Sequence, residues 1–458
     1  MSSPPSVGLA DMPSEVLSMI WDKVCEASAT FEAPPTAADA AFIASLLPQG
    51  GKHLLPSLYS LLYFHISVVS HLQASRLLPT LALPGRAAYV SRLTLQISPR
   101  PLPRLTDLEG QYTSATGVLP IQVAQLATVL SSLTHLRLIC TGDGGFAGSP
   151  AMIEAIQKFR QVQHVEVQAG STGTGGVIAA LSALPHLRNV AISGGSAEYT
   201  FLPSQIPQGR RYVEAFTMPT LLSMRETLET LSLVDVAIQV SHLQELLDGL
   251  SGRQPGTSGL FSLPSPPPAI RHLSLVRLTS LDTKPDQLMP VPPSRVRNAI
   301  LALVQCLRTL HLEHGDFGGE YGTLPLTDFR TGDLAAGQIL ASMHRVALGG
   351  EFMVSPHLFD YLDGSSAHNF ARLRELQLTR CGARLHNKAG RSVQQGLSAL
   401  DVADGLSRPW SEELLVLDVV GMRGEPGWDA AGLRVLRAAV SRMNDARFAA
   451  GFMVDLRE

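Results

Sequence analysis

One six-residue pattern of apolar and polar positions, apolar-x-x-apolar-x-apolar, recurs about ten times between residues 90 and 419. Its last three positions alternate as expected for a β-strand that buries one face. A short unit of this kind cannot bury its apolar side alone, so successive copies stack into a solenoid with one continuous core. The copies are VSRLTL from Val90, LTHLRL from Leu133, VQHVEV from Val162, LRNVAI from Leu187, LETLSL from Leu228, IRHLSL from Ile270, LRTLHL from Leu307, MHRVAL from Met343, LRELQL from Leu373 and LLVLDV from Leu414.

Helical patterns lie between these strands. In IQVAQLATVLSSL (Ile121–Leu133), apolar residues recur at spacings of three and four. Alternating strands and helices predict an α/β leucine-rich-repeat solenoid, with a curved parallel sheet and outer helices. A closing strand is expected within Phe448–Leu456. The other helix candidates are Gly176–Leu184, Ser241–Leu250, Val296–Leu307 and Leu433–Met443.

The third and fifth positions of each motif point away from the core, and we call this surface the strand face. Two polar patches are expected on it, the first formed by His135, Arg137, His164 and Glu166. The strand face is interpreted either as a ligand-docking surface, with histidines that make it pH-sensitive near pH 6–7, or as ordinary solvated residues. The second patch is expected to comprise His311, Glu313, Arg345, Glu375 and Gln377. The candidate substrate-binding residues are Arg92, His135, Arg137, His164, Glu166, His272, His311, Arg345, Glu375 and Gln377.

The composition excludes some classes of function. Charged residues make up 16% of the 458 residues and the net charge is −3, with no run of five basic residues. Nucleic acid is therefore not expected as the main ligand. The four widely spaced cysteines, the absence of a secretory pattern at the start and the absence of a long apolar stretch favour a cytoplasmic and/or nuclear protein, with no membrane contact.

Two segments resemble fragments of catalytic or metal sites. The loop Gly170–Gly176 follows a strand, but Gly176 stands where a phosphate-binding loop carries lysine. HLEHGD (His311–Asp316) offers only two metal-capable side chains on one side of a strand, whereas zinc needs three or four. We therefore expect no catalytic residues, no metal, no cofactor and no enzymatic activity.

A different element precedes the repeats. Ser6–Cys25 predicts a short amphipathic helix, with Pro13 in its first turn and Glu15 near the positive end of the helix dipole. A helix this short cannot satisfy its apolar face alone. That face comprises Val16, Leu17, Ile20, Trp21 and Val24.

LADMPSEVLSMIWDKV resembles the opening of an F-box, in which an apolar residue, Pro, any residue and Glu precede aliphatic residues. Leu54–Leu95 is similar to the junction between the F-box and the first repeat in fungal F-box/leucine-rich-repeat proteins. Glu26–Gly51 is rich in Ala and Pro where an F-box continues with further helices, so the resemblance is to a divergent member. It implies an F-box-like segment over residues 6–53 and a repeat solenoid over residues 54–458.

The resemblance implies a substrate-recognition adaptor of a cullin–RING ubiquitin ligase, which binds a protein substrate on the repeats. Its partners are then the ligase adaptor, the cullin and that substrate. Two alternatives remain open: a repeat scaffold whose N-terminal helix caps the solenoid, and a nucleotide-dependent switch or enzyme that uses Gly170–Gly176. The implied adaptor-binding residues are Met12, Pro13, Val16, Leu17, Ile20 and Trp21.

Overall fold

The computed structural model divides the chain into two compact units, one ending at Leu187 and the other beginning at Arg188. The residues that the structure describes are 63–97, 117–140, 149–169, 177, 180–194, 221–234, 236–238, 240–251, 269–276, 278–280, 303, 306–313, 343–349, 358–363, 373–379, 385–386, 392–394, 397–420, 422, 425, 427–448 and 453–458.

The first unit alternates parallel strands and helices. Its elements are β1 (His65–Val68), α1 (His71–Leu81), β2 (Arg92–Ile97), α2 (Pro120–Val129), β3 (His135–Cys140), α3 (Pro150–Gln157) and β4 (His164–Ala169). Strand β1 pairs with β2, β2 with β3 and β3 with β4, all in parallel. Helix α2 packs against both α1 and α3.

The second unit shows the same alternation. Its elements are β5 (Asn189–Gly194), β6 (Thr230–Val234), β7 (Ala237–Ile238), α4 (Val240–Ser251), β8 (His272–Val276), β9 (Thr279–Ser280), β10 (Thr309–Glu313), β11 (Arg345–Gly349), α5 (Leu358–Asp363), β12 (Glu375–Thr379), β13 (Leu385–His386), β14 (Ser392–Gln394), α6 (Ala399–Gly405), β15 (Val416–Asp418), α7 (Ala430–Arg447) and β16 (Asp455–Arg457). The main strands pair in parallel in the order β5, β6, β8, β10, β11, β12, β15, β16. Strands β7 and β9 form a separate parallel pair, and β13 and β14 form an antiparallel pair.

The recurring motif supplies the core of both units, as predicted. In all ten copies, the first, fourth and sixth residues are no more than 2% exposed. Buried residues of the helices, such as Val123, Leu126 and Ile156, complete this core. Each unit is therefore an α/β leucine-rich-repeat stack, in which a parallel sheet and its helices share one apolar layer.

Consecutive repeats are joined by one recurring backbone arrangement. The carbonyl oxygen of Ser91 accepts hydrogen bonds from the backbone N–H groups of Thr134 and His135, both at 3.0 Å. The carbonyl of Thr134 accepts from Gln163 and His164 in the same way, at 2.9 and 3.0 Å. Because the accepting residue is the second of its motif at each of these junctions, the paired motif strands begin in register with one another. Equivalent carbonyls in the second unit are those of Arg188, Glu229, Arg271, Arg308, His344 and Arg374.

The helices largely follow their sequence patterns, with corrected ends. Helix α2 stops at Val129 instead of reaching Leu133, because Leu130 leaves the helical region at φ −90 and ψ 64 and Leu133 begins the next motif. The Ser149 hydroxyl caps α3 by accepting from the Met152 N–H. Of the candidate Gly176–Leu184, positions 177 and 180–181 are helical, while most of the candidate Val296–Leu307 lies outside the described residues.

The end of the repeat stack differs from its prediction. Helix α7 runs to Arg447 and Phe448 is its C-cap, so Phe448 does not belong to the closing strand. That strand comprises Asp455–Arg457 and ends one residue beyond the expected segment Phe448–Leu456. The side chain of Asn444 ties this strand to the helix, since it donates to the Val454 carbonyl at 3.2 Å and accepts from the Val454 N–H at 2.7 Å.

Within the described ranges, no helix is both long enough and apolar enough to cross a membrane. The F-box-like segment of residues 6–53 lies outside the described residues.

Leu136→Ala tests whether the motif rows stabilise the fold. Leu136 is completely buried in β3, so we expect the substitution to lower the free energy of unfolding by about 2–5 kcal/mol. Urea denaturation followed by circular dichroism measures the change. The matched control is Leu72→Ala in α1, where the side chain is 56% exposed and a small effect is expected. Equal losses in the two variants would contradict the assignment of the core.

Candidate strand-face binding site

The strand face of the first unit is built from two rows of side chains in exact register across its sheet. His65, Arg92, His135 and His164 pair along one row, and Ser67, Thr94, Arg137 and Glu166 along the next. Neighbouring strands are about 4.8 Å apart, so side chains in one row are in contact range. The structure thus brings His135, Arg137, His164 and Glu166 together, as the motif predicted.

The histidines of this patch make close contacts. The rings of His135 and His164 are stacked, with centroids 4.1 Å apart and an angle of 2° between their planes. His135 Nδ1 lies 2.8 Å from Thr134 Oγ1. At the end of the row, His65 is buried and its Nε2 lies 2.9 Å from Thr94 Oγ1.

Two arginines lie among these histidines. The Arg92 guanidinium carbon is 5.2 Å from the ring centroid of Phe64, in cation–π range. Arg137 Nε is 3.3 Å from Glu166 Oε1, and Arg137 also donates to Gln168 Oε1 at 3.3 Å. The patch therefore combines two permanent cations with one carboxylate and three imidazoles.

The environment of the patch disfavours further charge. Burial lowers the pKa of His65 to about 4, and the positive charges of Arg92 and Arg137 add to the effect. Burial also lowers the pKa of His135 to about 4, reinforced by His164 and Arg92. Burial raises the pKa of Glu166, against the opposing effect of Arg137, and lowers that of Arg92.

For His135, this shift corrects the expectation of a histidine that titrates near pH 6–7. His135 is neutral throughout that range because its imidazolium would be partly desolvated beside other cations. The pKa of His272 in the second unit is also lowered, by burial first and by Arg308 next.

The strand face of the second unit carries a hydrogen-bonded group on β8 and β10. His272 Nδ1 lies 2.8 Å from Thr309 Oγ1, and Ser274 Oγ lies 3.4 Å from His311 Nδ1. His311 Nε2 is 3.7 Å from Glu313 Oε2. His311 and Glu313 therefore share a strand face, as predicted.

The adjoining strands β11 and β12 carry an ion-paired cluster. Arg345 Nη2 lies 3.1 Å from Glu375 Oε1 and donates to Gln377 Oε1 at 3.5 Å. Gly349 makes room for the neighbouring acid, since a Cβ atom there would lie 2.8 Å from Glu313 Cγ. The second expected patch thus forms as two adjacent pairs of contacts.

Some strand-face residues depart from the simple alternation. Thr94 and Ala347 occupy outward positions but are only 5% and 1% exposed. His65 is a strand-face residue that the motif does not predict, because FHISV carries no full copy of it. Its alternation of apolar and polar residues was the signal that could have placed His65 on a strand.

Other candidate residues have no structural account. Met12, Pro13, Val16, Leu17, Ile20 and Trp21, the loop Gly170–Gly176, His314 and Asp316 lie outside the described residues. Among the residues described, no group of three or more His, Cys, Asp or Glu side chains is placed to hold a metal ion. The thiols of Cys140 and Cys306 are free, and burial raises the pKa of Cys140 to about 12.

Comparisons with known proteins find structural likenesses but no matching sequence. No family model matches the sequence, and no curated protein sequence matches it. The chain is similar to a chain in the crystal structure of the Rad7–Elc1 complex from yeast, at 13% identity and a TM-score of 0.35, covering 95% of this chain and 91% of that chain. It is also similar to a chain in the TLR13–ssRNA13 complex, at 15% identity and a TM-score of 0.24, covering 79% of this chain and 54% of that chain. At TM-scores this low, neither likeness supports an argument about function.

The lowered pKa of His65 predicts a loss of stability in acid. Its pKa is about 4 in the folded chain and near 6.5 when unfolded, so between these two pH values the unfolded chain binds this proton more readily than the folded chain. The free energy of unfolding should therefore fall as the pH drops from 6.5 towards 4. His65→Gln removes this contribution, and its urea midpoint should decline less steeply over that window than the midpoint of the wild type. Parallel declines would show that the pKa of His65 is not lowered by folding.

Proposed function

We propose that the chain is a non-catalytic, two-part adaptor of a cullin–RING ubiquitin ligase. The F-box-like segment of residues 6–53 recruits the ligase adaptor and, through it, the cullin. The repeats of residues 54–458 hold a protein substrate on their strand face. The chain then acts by proximity, because it raises the effective concentration of the substrate near the ubiquitin-transfer machinery.

The observation that carries the binding half of this proposal is the separation of roles within each motif. The first, fourth and sixth positions are buried, whereas most of the third and fifth positions carry charged or hydrogen-bonding side chains in register. A parallel sheet that displays aligned polar side chains, each held by its neighbours, suits recognition of an extended protein surface.

The substrate-binding residues proposed on this basis fall into two sets. In the first unit they are the stacked, partly buried group of Arg92, His135, Arg137, His164 and Glu166. In the second unit they are His272, His311, Arg345, Glu375 and Gln377.

The recruitment half rests on the sequence resemblance alone. Met12, Pro13, Val16, Leu17, Ile20 and Trp21 combine an apolar helix face with the Pro-x-Glu opening of an F-box. An apolar face on so short a helix needs a partner surface. A ligase role would place the chain in the cytoplasm, the nucleus or both.

Co-purification of the full chain with the ligase adaptor and cullin tests recruitment. We expect both to be recovered with the wild type and to fall about tenfold or more with the double variant Pro13→Ala/Ile20→Asp, because a charge replaces a central apolar contact. The matched control is Arg345→Gln, which alters an exposed ion pair of the strand face and should leave recovery unchanged.

No recovery with the wild type would overturn the ligase assignment. The chain would then be a repeat scaffold whose N-terminal helix caps the solenoid. Equal recovery with the wild type and the double variant would show that recruitment does not use the F-box-like helix.

A further inference from the structure

The strand face of the first unit concentrates positive charge. Among its described side chains in the two rows, Arg92 and Arg137 outnumber the single carboxylate of Glu166, which lies 3.3 Å from Arg137 Nε. Three imidazoles, those of His65, His135 and His164, complete the surroundings. Counted over these described side chains, the two rows therefore carry one net positive charge at neutral pH.

We infer that this patch binds a side-chain carboxylate from an acidic segment of a protein partner, beside Arg92, His135 and His164. The inference deepens the proposed function and rests on it, because it names the chemical class of segment that the repeats recognise. Arg92 and His135 occupy facing positions on neighbouring strands, and His164 is stacked on His135. A carboxylate at this point of the row would receive charge-assisted hydrogen bonds from these groups.

The charges favour a carboxylate over a phosphate. One net positive charge balances a single carboxylate, whereas a phosphate dianion would leave excess negative charge close to Glu166. The patch is also partly removed from water, since burial is the main cause of the lowered pKa of Arg92. An ion pair formed in such surroundings is stronger than one in open solvent.

The groups that face His135 make binding sensitive to pH. His164 and Arg92 both lower its pKa, and His65, Arg137 and Glu166 occupy the remaining charged or titratable positions of the two rows. A bound carboxylate would offset these positive charges and raise the pKa of His135 from about 4. Binding should then be accompanied by proton uptake, and affinity should rise as the pH falls while the ligand stays ionised.

The test measures binding of a short fluorescein-labelled peptide of alternating Gly and Glu to the purified full chain. Binding is measured by fluorescence anisotropy at low salt. We expect Arg92→Gln to weaken binding about tenfold. Arg92→Lys should retain most of the affinity, because it keeps the charge. The matched control is Arg437→Gln, which removes an exposed arginine of helix α7 that is paired with Glu458 and lies outside the strand face, and this variant should bind like the wild type.

A second variant avoids altering the packed arginine. Ser67→Glu introduces a carboxylate at a half-buried position that pairs with Thr94 in the second row. We expect it also to weaken peptide binding about tenfold, through repulsion of the ligand and competition for Arg92. Wild-type affinity should increase when the pH is lowered from about 6 to about 5, where glutamate remains mostly ionised and the pH approaches the pKa of His135.

Several outcomes would overturn the inference. The first is that the wild type does not bind the Glu peptide. The second is that the wild type, Arg92→Gln and Ser67→Glu bind it with equal affinity. The third is that the wild type binds the corresponding Lys peptide as tightly as the Glu peptide. Binding of a phosphoserine peptide in preference to the Glu peptide would replace the carboxylate with a phosphate ligand.

Failure of this inference is distinguishable from failure of the proposed ligase role. Co-purification with the ligase adaptor depends on residues 6–53 and should be unaffected in Arg92→Gln. Adaptor recovery without peptide binding would reject the acidic ligand alone. Peptide binding without adaptor recovery would leave an acidic-peptide-binding scaffold.

Discussion

In the described structure, the alignment of neighbouring repeats depends above all on one backbone carbonyl oxygen near the start of each repeat. This carbonyl belongs to the second residue of the motif and accepts from two consecutive N–H groups of the next repeat, as Glu229 does from Arg271 and His272 at 2.8 and 3.0 Å. Because two N–H groups donate to one carbonyl oxygen, the residue at which the next strand begins is fixed relative to its neighbour. A slip of one residue would turn the buried leucines outward, so this contact and the apolar rows enforce the same register.

Fixed register decides which side chains meet on the strand face. In the first unit it aligns three histidines with Arg92, an arrangement that would be repulsive if all were charged. The fold accommodates it by keeping His65 and His135 neutral, at a pKa of about 4. In the second unit the same rule places Arg345 opposite Glu375. This half-exposed pair adds at most about 1 kcal/mol, so the stability of the unit comes mainly from its core.

The sequence was most informative where one physical requirement repeats. Every motif buries its first, fourth and sixth residues, and this regularity identified the core, the parallel strands and the neighbours of His135 and Arg137. The burial, contacts and pKa values of individual strand-face side chains could not be predicted from the motif in the same way. The burial of Ala347 and the ring stacking of His135 on His164 depend on neighbours from other repeats, and the lowered pKa values depend on the local density of atoms and charge.

Within the first unit, the spacing between motifs varies from 29 residues (Leu136 to Val165) to 43 (Leu93 to Leu136), yet the register of the paired strands does not change. Length differences are therefore absorbed outside the strands, where loop extension costs little because closure entropy grows slowly with length. The core residues of the motif must stay apolar, but the third and fifth residues are free of that requirement. A surface of this kind can alter its partner specificity one side chain at a time while the fold that displays it is retained, which is the property that a substrate-selecting adaptor requires.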